Sequence, residues 1–189
     1  GHTASPDQLG SQDMSVWMLS DEGRQVCRHG HQQQAGNLLD TLTLVRPEYF
    51  QHTLLWLMNY GRRYADSPFS MLLVDIQNLQ PVIRARGMGQ ALAQLDAFIE
   101  HLSELVRSTD FMMRSNETRL WLAMPRTSTD GLRAFSGKLN AWISERLGEG
   151  SEPLQDRLQV KVLAYCSEQS EKFTDVDTLF AHLAAQLTP

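Results

Sequence analysis

Residues 38–189 predict an α/β fold of the α+β sandwich type, a mixed central sheet surrounded by helices, and three features carry that expectation. A compact apolar run of strand length, Phe69-Ser70-Met71-Leu72-Leu73-Val74-Asp75-Ile76, stands between chain breakers. Two shorter apolar segments, Phe111 to Arg114 and Leu120 to Met124, flank a polar stretch and end at Pro125. Around them, apolar residues recur at helical spacing. Strands that alternate with amphipathic helices in a chain of this size bury a sheet between helical layers.

The elements follow in order. Residues 14–19 read as a strand, Ser20 to Gly23 as a turn and Arg24 to Cys27 as a return strand, a small hairpin ahead of the domain. His29 to Asn37, with three consecutive glutamines, reads as a linker, so the chain divides into a lead-in (1–12), a hairpin with linker (13–37) and one domain (38–189). From Arg46 to Tyr64 the residues Phe50, Leu54, Leu57, Met58 and Tyr60 make a helical stripe, with Pro47 tolerated in the first turn. Ser67-Pro68 ends it, and the run at 69–76 is a strand because breakers bound it on both sides. After Gly87 and Gly89, Leu92, Leu95, Ile99, Leu102 and Val106 line a second helix that ends near Arg107. Ser115 to Arg119 is the turn of a hairpin. A third helix covers about 130–147, Leu158 to Tyr165 is a strand, and Val176 to Leu187 a last helix. The predicted order is α-β-α-β-β-α-β-α.

Composition removes several function classes. The formal charge is -5, and a phosphate backbone requires a concentrated positive field, so general nucleic-acid binding is excluded. No apolar run approaches the ~20 residues that a membrane helix requires. Cys27 and Cys166 stand in no redox or metal spacing, which fits a reducing compartment, and the cytoplasm is the expected location. Gly1 to Pro6 has the look of a cloning remnant, with no leader pattern behind it. The basic residues are 14 Arg against 3 Lys, a bias that suits guanine edges and phosphates but equally follows from a GC-rich genome.

No Ser-His-Asp set and no phosphate loop are present. Cys27, His29 and His31 alternate as three ligands on one strand face would, yet no fourth ligand is near and a polar strand end is the simpler reading. Trp56, Met58 and Tyr60, with Trp142, suggest either a partner surface or, more commonly for such stripes, core. Arg107-Ser108-Thr109-Asp110 has its own structural explanation, a helix-closing arginine and a turn-capping aspartate.

The order of short motifs says more. Asp40-Thr41-Leu42-Thr43 resembles the D-x-L-T opening of GGDEF (diguanylate cyclase) domains. Leu73 to Gln77 stands where that family carries a strand ending D-I-D, and Gly87-Met88 where it carries Gly-His. Arg107 to Leu120, running on to Met124-Pro125, keeps the spacing of R-x-x-D, five residues, the five-residue signature and a proline after its second strand. The resemblance covers about 40–187 and implies a GGDEF, nucleotidyl-cyclase-like sheet.

The same register implies lost chemistry. Two-metal phosphoryl transfer needs carboxylates at the end of the first core strand and at the signature turn. Asp75 is retained, but the second strand carboxylate is Gln77, and the signature reads Asn116-Glu117-Thr118-Arg119-Leu120. The base-reading Asn and Asp fall at Ile83 and Leu92. The resemblance therefore implies a domain that is not an enzyme, with no catalytic or metal residues and no cofactor. The surviving R-x-x-D resembles the family's inhibitory site for cyclic di-GMP: Arg107 offers parallel donors to guanine or phosphate and Asp110 accepts from guanine N–H groups. Arg114 is expected to add charge there, and the family's further basic residue falls at Lys138, with Arg133 as a substitute. The expected partners are cyclic di-GMP and a protein or upstream domain, with a homodimer compatible. The alternative is a scaffold that binds protein and no nucleotide.

Overall fold

The structure, a computed structural model, describes residues 44–147 and 156–187. The hairpin expected at 14–27, the linker, Cys27, His29 and His31, Asp40 to Thr43 and the loop 148–151 lie outside the described residues.

Helix α1 (Pro47–Arg63) begins with proline in its first turn and carries Glu48 there, with Arg62 and Arg63 in the last turn; both signs complement the helix dipole. Strand β1 (Phe69–Ile76) follows. Its residues are buried throughout except half-buried Asp75, because both faces of this strand are covered, which is why it reads as a continuous apolar run and not an alternating one. Next come α2 (Leu79–Arg86) and α3 (Met88–Leu105), separated by Gly87 at φ 88°, a left-handed value that favours glycine. The hairpin is β2 (Phe111–Asn116) and β3 (Arg119–Pro125), followed by α4 (Thr129–Arg146), β4 (Val160–Cys166) and α5 (Val176–Ala185). The helix α2 was not expected: it has eight residues, and Pro81 in its first turn looks like a breaker.

The four strands order β2-β3-β1-β4. The sheet expected to be mixed is antiparallel in all three strand pairings, with parallel pairing confined to a single bridge between Leu44 and Met112. Leu72, Val74 and Ile76 face one way, onto Val82, Phe98, Leu102 and Leu139 of α2, α3 and α4. Met71, Leu73, Trp121 and Tyr165 face the other, onto Phe50, Leu54, Leu179 and Leu183 of α1 and α5. Burial of these two layers, at ~25 cal/mol per Å² of apolar surface, is what holds the sandwich. Among the described residues no helix is long and apolar enough to cross a membrane.

Candidate functional site

The sheet register places two Arg–Asp pairs at opposite ends of β3. At one end Asp75 is the direct cross-strand partner of Arg119 on β3 and of Lys161 on β4. Directly opposed residues of antiparallel strands share a face, so this carboxylate sits between two cationic positions. The Arg119 Nε donates to Asp75 Oδ1 at 3.2 Å, and the two side chains are 30% and 13% exposed. The Lys161 ammonium turns toward the end of α5 and donates to the Gln186 carbonyl at 3.0 Å. The hairpin turn beside them is closed by Asn116, whose Oδ1 accepts from the Thr118 N–H (2.9 Å) and hydroxyl (3.1 Å).

This donor set does not fit a magnesium pair. Of the carboxylates here, Asp75 is already ion-paired and Glu117 is exposed in the turn beside Arg114, and no group of three His, Cys, Asp or Glu side chains converges among the described residues. Gln77, where a second carboxylate would stand, is exposed and its backbone N–H is bonded to the Gln159 carbonyl (2.9 Å). Ile83 and Leu92, which the sequence register sets at the expected base-reading positions, are partly buried and packed against the core under α2 and α3.

At the other end of β3, some six residues or ~20 Å along the strand, the Arg107-to-Asp110 turn closes on itself. Asp110 Oδ2 accepts from the Arg107 backbone N–H (2.9 Å) and Nε (3.4 Å), and Oδ1 accepts from Nη2 (3.2 Å). Nη2 also donates to Thr127 Oγ1 at 2.6 Å and to the Pro125 carbonyl at 3.4 Å. The Asp110 side chain is 0% exposed and that of Arg107 54%. The carboxylate is spent on orienting the arginine, while one edge of the guanidinium faces solvent.

The model of the diguanylate cyclase GGDEF domain matches residues 37–180. The chain belongs to the GGDEF family. Among solved structures it is similar to the GGDEF domain of DgcB from Caulobacter crescentus, determined with c-di-GMP: 11% identity, 78% of this chain and 85% of that one, TM-score 0.59. It is also similar to the diguanylate cyclase SiaD from Pseudomonas aeruginosa in complex with its activator SiaC (15%, 91% and 65%, 0.58). A third likeness is to the active GGEEF domain of a diguanylate cyclase from Vibrio cholerae (11%, 73% and 82%, 0.52). At these identities the likeness is one of fold. Comparison with curated proteins gives no match.

In this GGDEF domain the five residues expected to form one ligand site are not all together. Arg107 and Asp110 meet. Arg114 does not join them: four strand residues, about 13 Å, separate it from Asp110. Its Nε donates to the Asn116 carbonyl (3.0 Å) and its Nη2 to the Glu117 carbonyl (3.1 Å), so it braces the signature turn. Burial pushes its pKa down, against the opposing pull of Glu117. Arg133 and Lys138 stand exposed on α4, and among the described residues no hydrogen bond or ion pair ties either to Arg107.

Two neighbours escape sequence reasoning. Thr127 is buried and links three elements: its N–H donates to the Pro68 carbonyl (3.1 Å) and its carbonyl accepts from the Ser70 hydroxyl (2.9 Å), while its hydroxyl takes Arg107 and donates to Pro125 (3.1 Å). Arg126, exposed in the same turn, has φ 49°. A non-glycine residue there stores on the order of 1 kcal/mol of strain. The only sequence signal for either is position, directly after the proline that ends the hairpin.

Proposed function

We propose that this GGDEF domain makes no cyclic dinucleotide and works as a regulatory module that takes cyclic di-GMP at the Arg107 end of the sheet. The observation that carries the silent reading is the Arg119–Asp75 ion pair: the retained carboxylate is neutralised by a guanidinium from the signature turn. A divalent cation placed there meets like charge, a cost of ~1–4 kcal/mol per close pair at surface-like dielectric. Ile83 and Leu92 add to it, since apolar side chains at base-reading positions leave a purine's polar edges desolvated without partners.

The receptor reading draws on Arg107. Its exposed guanidinium edge, held at a fixed angle by Asp110 and Thr127, suits a phosphate or the O6/N7 edge of guanine. Asp110 acts through Arg107 and is covered, so the arginine carries the contact and the carboxylate positions it. The structure of the DgcB GGDEF domain in complex with c-di-GMP concerns that protein and lends the ligand its plausibility for this fold. The alternative, a scaffold that binds protein alone, is favoured by the complete coverage of Asp110 and by Arg114 being committed elsewhere.

The test is a calorimetric titration of cyclic di-GMP into wild type and Arg107→Ala, alongside a pyrophosphate-release assay with GTP and Mg²⁺. Micromolar binding lost in the variant, with no pyrophosphate, is the expected result. Pyrophosphate release by wild type would end the silent reading, and absence of heat would end the receptor reading in favour of the scaffold.

A further inference from the structure

We propose that the outer face of α1 is a self-association surface on which a second copy of this chain seats its own α1 in the antiparallel direction. The face is aromatic where a solvated helix is normally polar. Tyr49 and Trp56 are each 58% exposed, and Tyr64 follows at 44%. Their arrangement is ordered. Trp56 stacks on Tyr60 (centroids 4.9 Å, planes 24° apart), Tyr60 lies against Tyr64 (4.6 Å), and the Arg63 guanidinium sits over the Tyr64 ring at 5.8 Å. At ~100° per residue, Tyr49, Trp56, Tyr60 and Arg63 fall within an arc of roughly 60°. That is the width of a helix–helix seam, and it lies away from the core-facing residues Phe50, Leu54, Leu57 and Met58.

Charge complementarity selects the occupant. Trp56 has Tyr49 seven residues before it and Arg63 seven after it, with Glu48 and Arg62 flanking those ends. A two-fold axis through Trp56 sets each α1 against its copy in reverse, and the symmetry carries a residue on one flank of the seam to the same flank of the partner helix. Glu48 and the two arginines share one flank. Each Glu48 then meets the Arg62/Arg63 end of the other copy, and each Arg63 reaches the ring of the opposite Tyr49, giving two ion pairs and two cation–π contacts from one self-complementary surface. A parallel pairing carries each residue to the opposite flank of the partner helix, with Glu48 level with Glu48 and arginines level with arginines, and forms none of these ion pairs. Tyr, Trp and Arg are the side chains that dominate association energy when covered by a partner. A 17-residue helix spans only about 25 Å, so the contact falls at the low end of specific interfaces and the dimer should be weak, dissociating in the range of about 10–100 μM.

The test is sedimentation equilibrium of the full chain from a few micromolar to several hundred. Wild type is expected to shift from monomer to dimer. Trp56→Ser should raise the dissociation constant about tenfold or more. Glu48→Arg and Arg63→Glu should each weaken association about threefold, and the double charge swap should return it to near wild type. All three positions are exposed, so the melting temperatures of the diluted variants should fall by only a few degrees, the charge reversals losing their helix-dipole contribution, and separate lost association from lost folding. A chain that stays monomeric throughout, a dimer indifferent to Trp56→Ser, or a double swap weaker than either single change would each overturn the proposal.

Discussion

The two Arg–Asp pairs at the ends of β3 share the same shortest side-chain contact, 3.2 Å, and differ in what each leaves open to solvent. At the Asp75 end both partners are partly covered and joined by one hydrogen bond, and the strand register sets Arg119 and Lys161 to either side of the carboxylate. At the Arg107 end the carboxylate is sealed beneath three N–H donors, and the guanidinium is pinned by two further acceptors yet more than half open. One pair is a cross-strand contact that cancels charge in place. The other is a mount that presents a cation. In the proposed function, what separates the two ends is therefore which member of the pair is covered, and not the presence of the pair.

Removing each arginine breaks that comparison most directly. Arg107→Ala should weaken cyclic di-GMP binding by roughly tenfold to a hundredfold, the worth of a charge-assisted bidentate contact of about 1.5–3 kcal/mol. It should also lower stability by about 1–3 kcal/mol, because the sealed Asp110 loses its side-chain donors with no water to replace them. Arg119→Ala should cost at most about 1 kcal/mol, since the Asp75 carboxylate has a single donor to lose and some access to water. Urea midpoints of the two variants check the ranking, and equal losses would show the mount to be no more buried than the cross-strand pair.

Asp110→Asn sharpens the mount. The amide keeps the shape and an acceptor toward Arg107 but loses the charge, so binding should fall about threefold if the carboxylate only positions the arginine. A loss as deep as that of Arg107→Ala would mean that Asp110 itself contacts the ligand. The complementary change at the other end is Arg119→Glu, which sets two carboxylates directly opposite. Like charges in that register should lower the melting temperature at low salt, and millimolar Mg²⁺ should restore it, whereas wild type should not respond. Thermal melts with and without Mg²⁺ read both effects.

Most of the sandwich could be read from residue order, because β1 is apolar on both faces and the hairpin has a polar turn between two short apolar segments. The helix α2 hid behind Pro81, and the strand directions were invisible because a strand buried on both faces looks the same whether its neighbours run parallel or antiparallel. Asp75 and Arg119 were found from spacing, but their contact is a fact of register that spacing does not contain. The grouping of Arg114 with Arg107 misled for a related reason: seven residues are close in sequence, yet an extended strand carries Arg114 to the far turn, where carbonyls of Asn116 and Glu117 take it. Trp56 shows the limit of helical periodicity, which reports that a stripe is apolar and not whether core or solvent faces it.

The smallest effect concerns the helix that closes the sheet face carrying Asp75. Asp175 caps α5, its Oδ1 accepting from the Thr178 N–H and hydroxyl at 2.7 Å each. Those hydrogen bonds hold its pKa below the ordinary carboxylate value of 3.8. A depressed carboxyl stabilises the fold fully above its unfolded pKa, and that contribution fades as pH falls through the lower folded value. Lys161 depends on the same helix, since its ammonium is held by the Gln186 carbonyl at the far end of α5. Asp175→Ala should therefore lower the melting temperature at pH 7, and the gap from wild type should shrink as pH falls below about 4. Loosening α5 would free Lys161 to turn back toward Asp75 beside Arg119, at the end of the sheet away from Arg107, and should leave the Arg107 mount untouched. Cyclic di-GMP affinity measured in the same variant should stay at the wild-type value, and a parallel loss of binding would show that the two ends of the sheet are coupled through the helical layer.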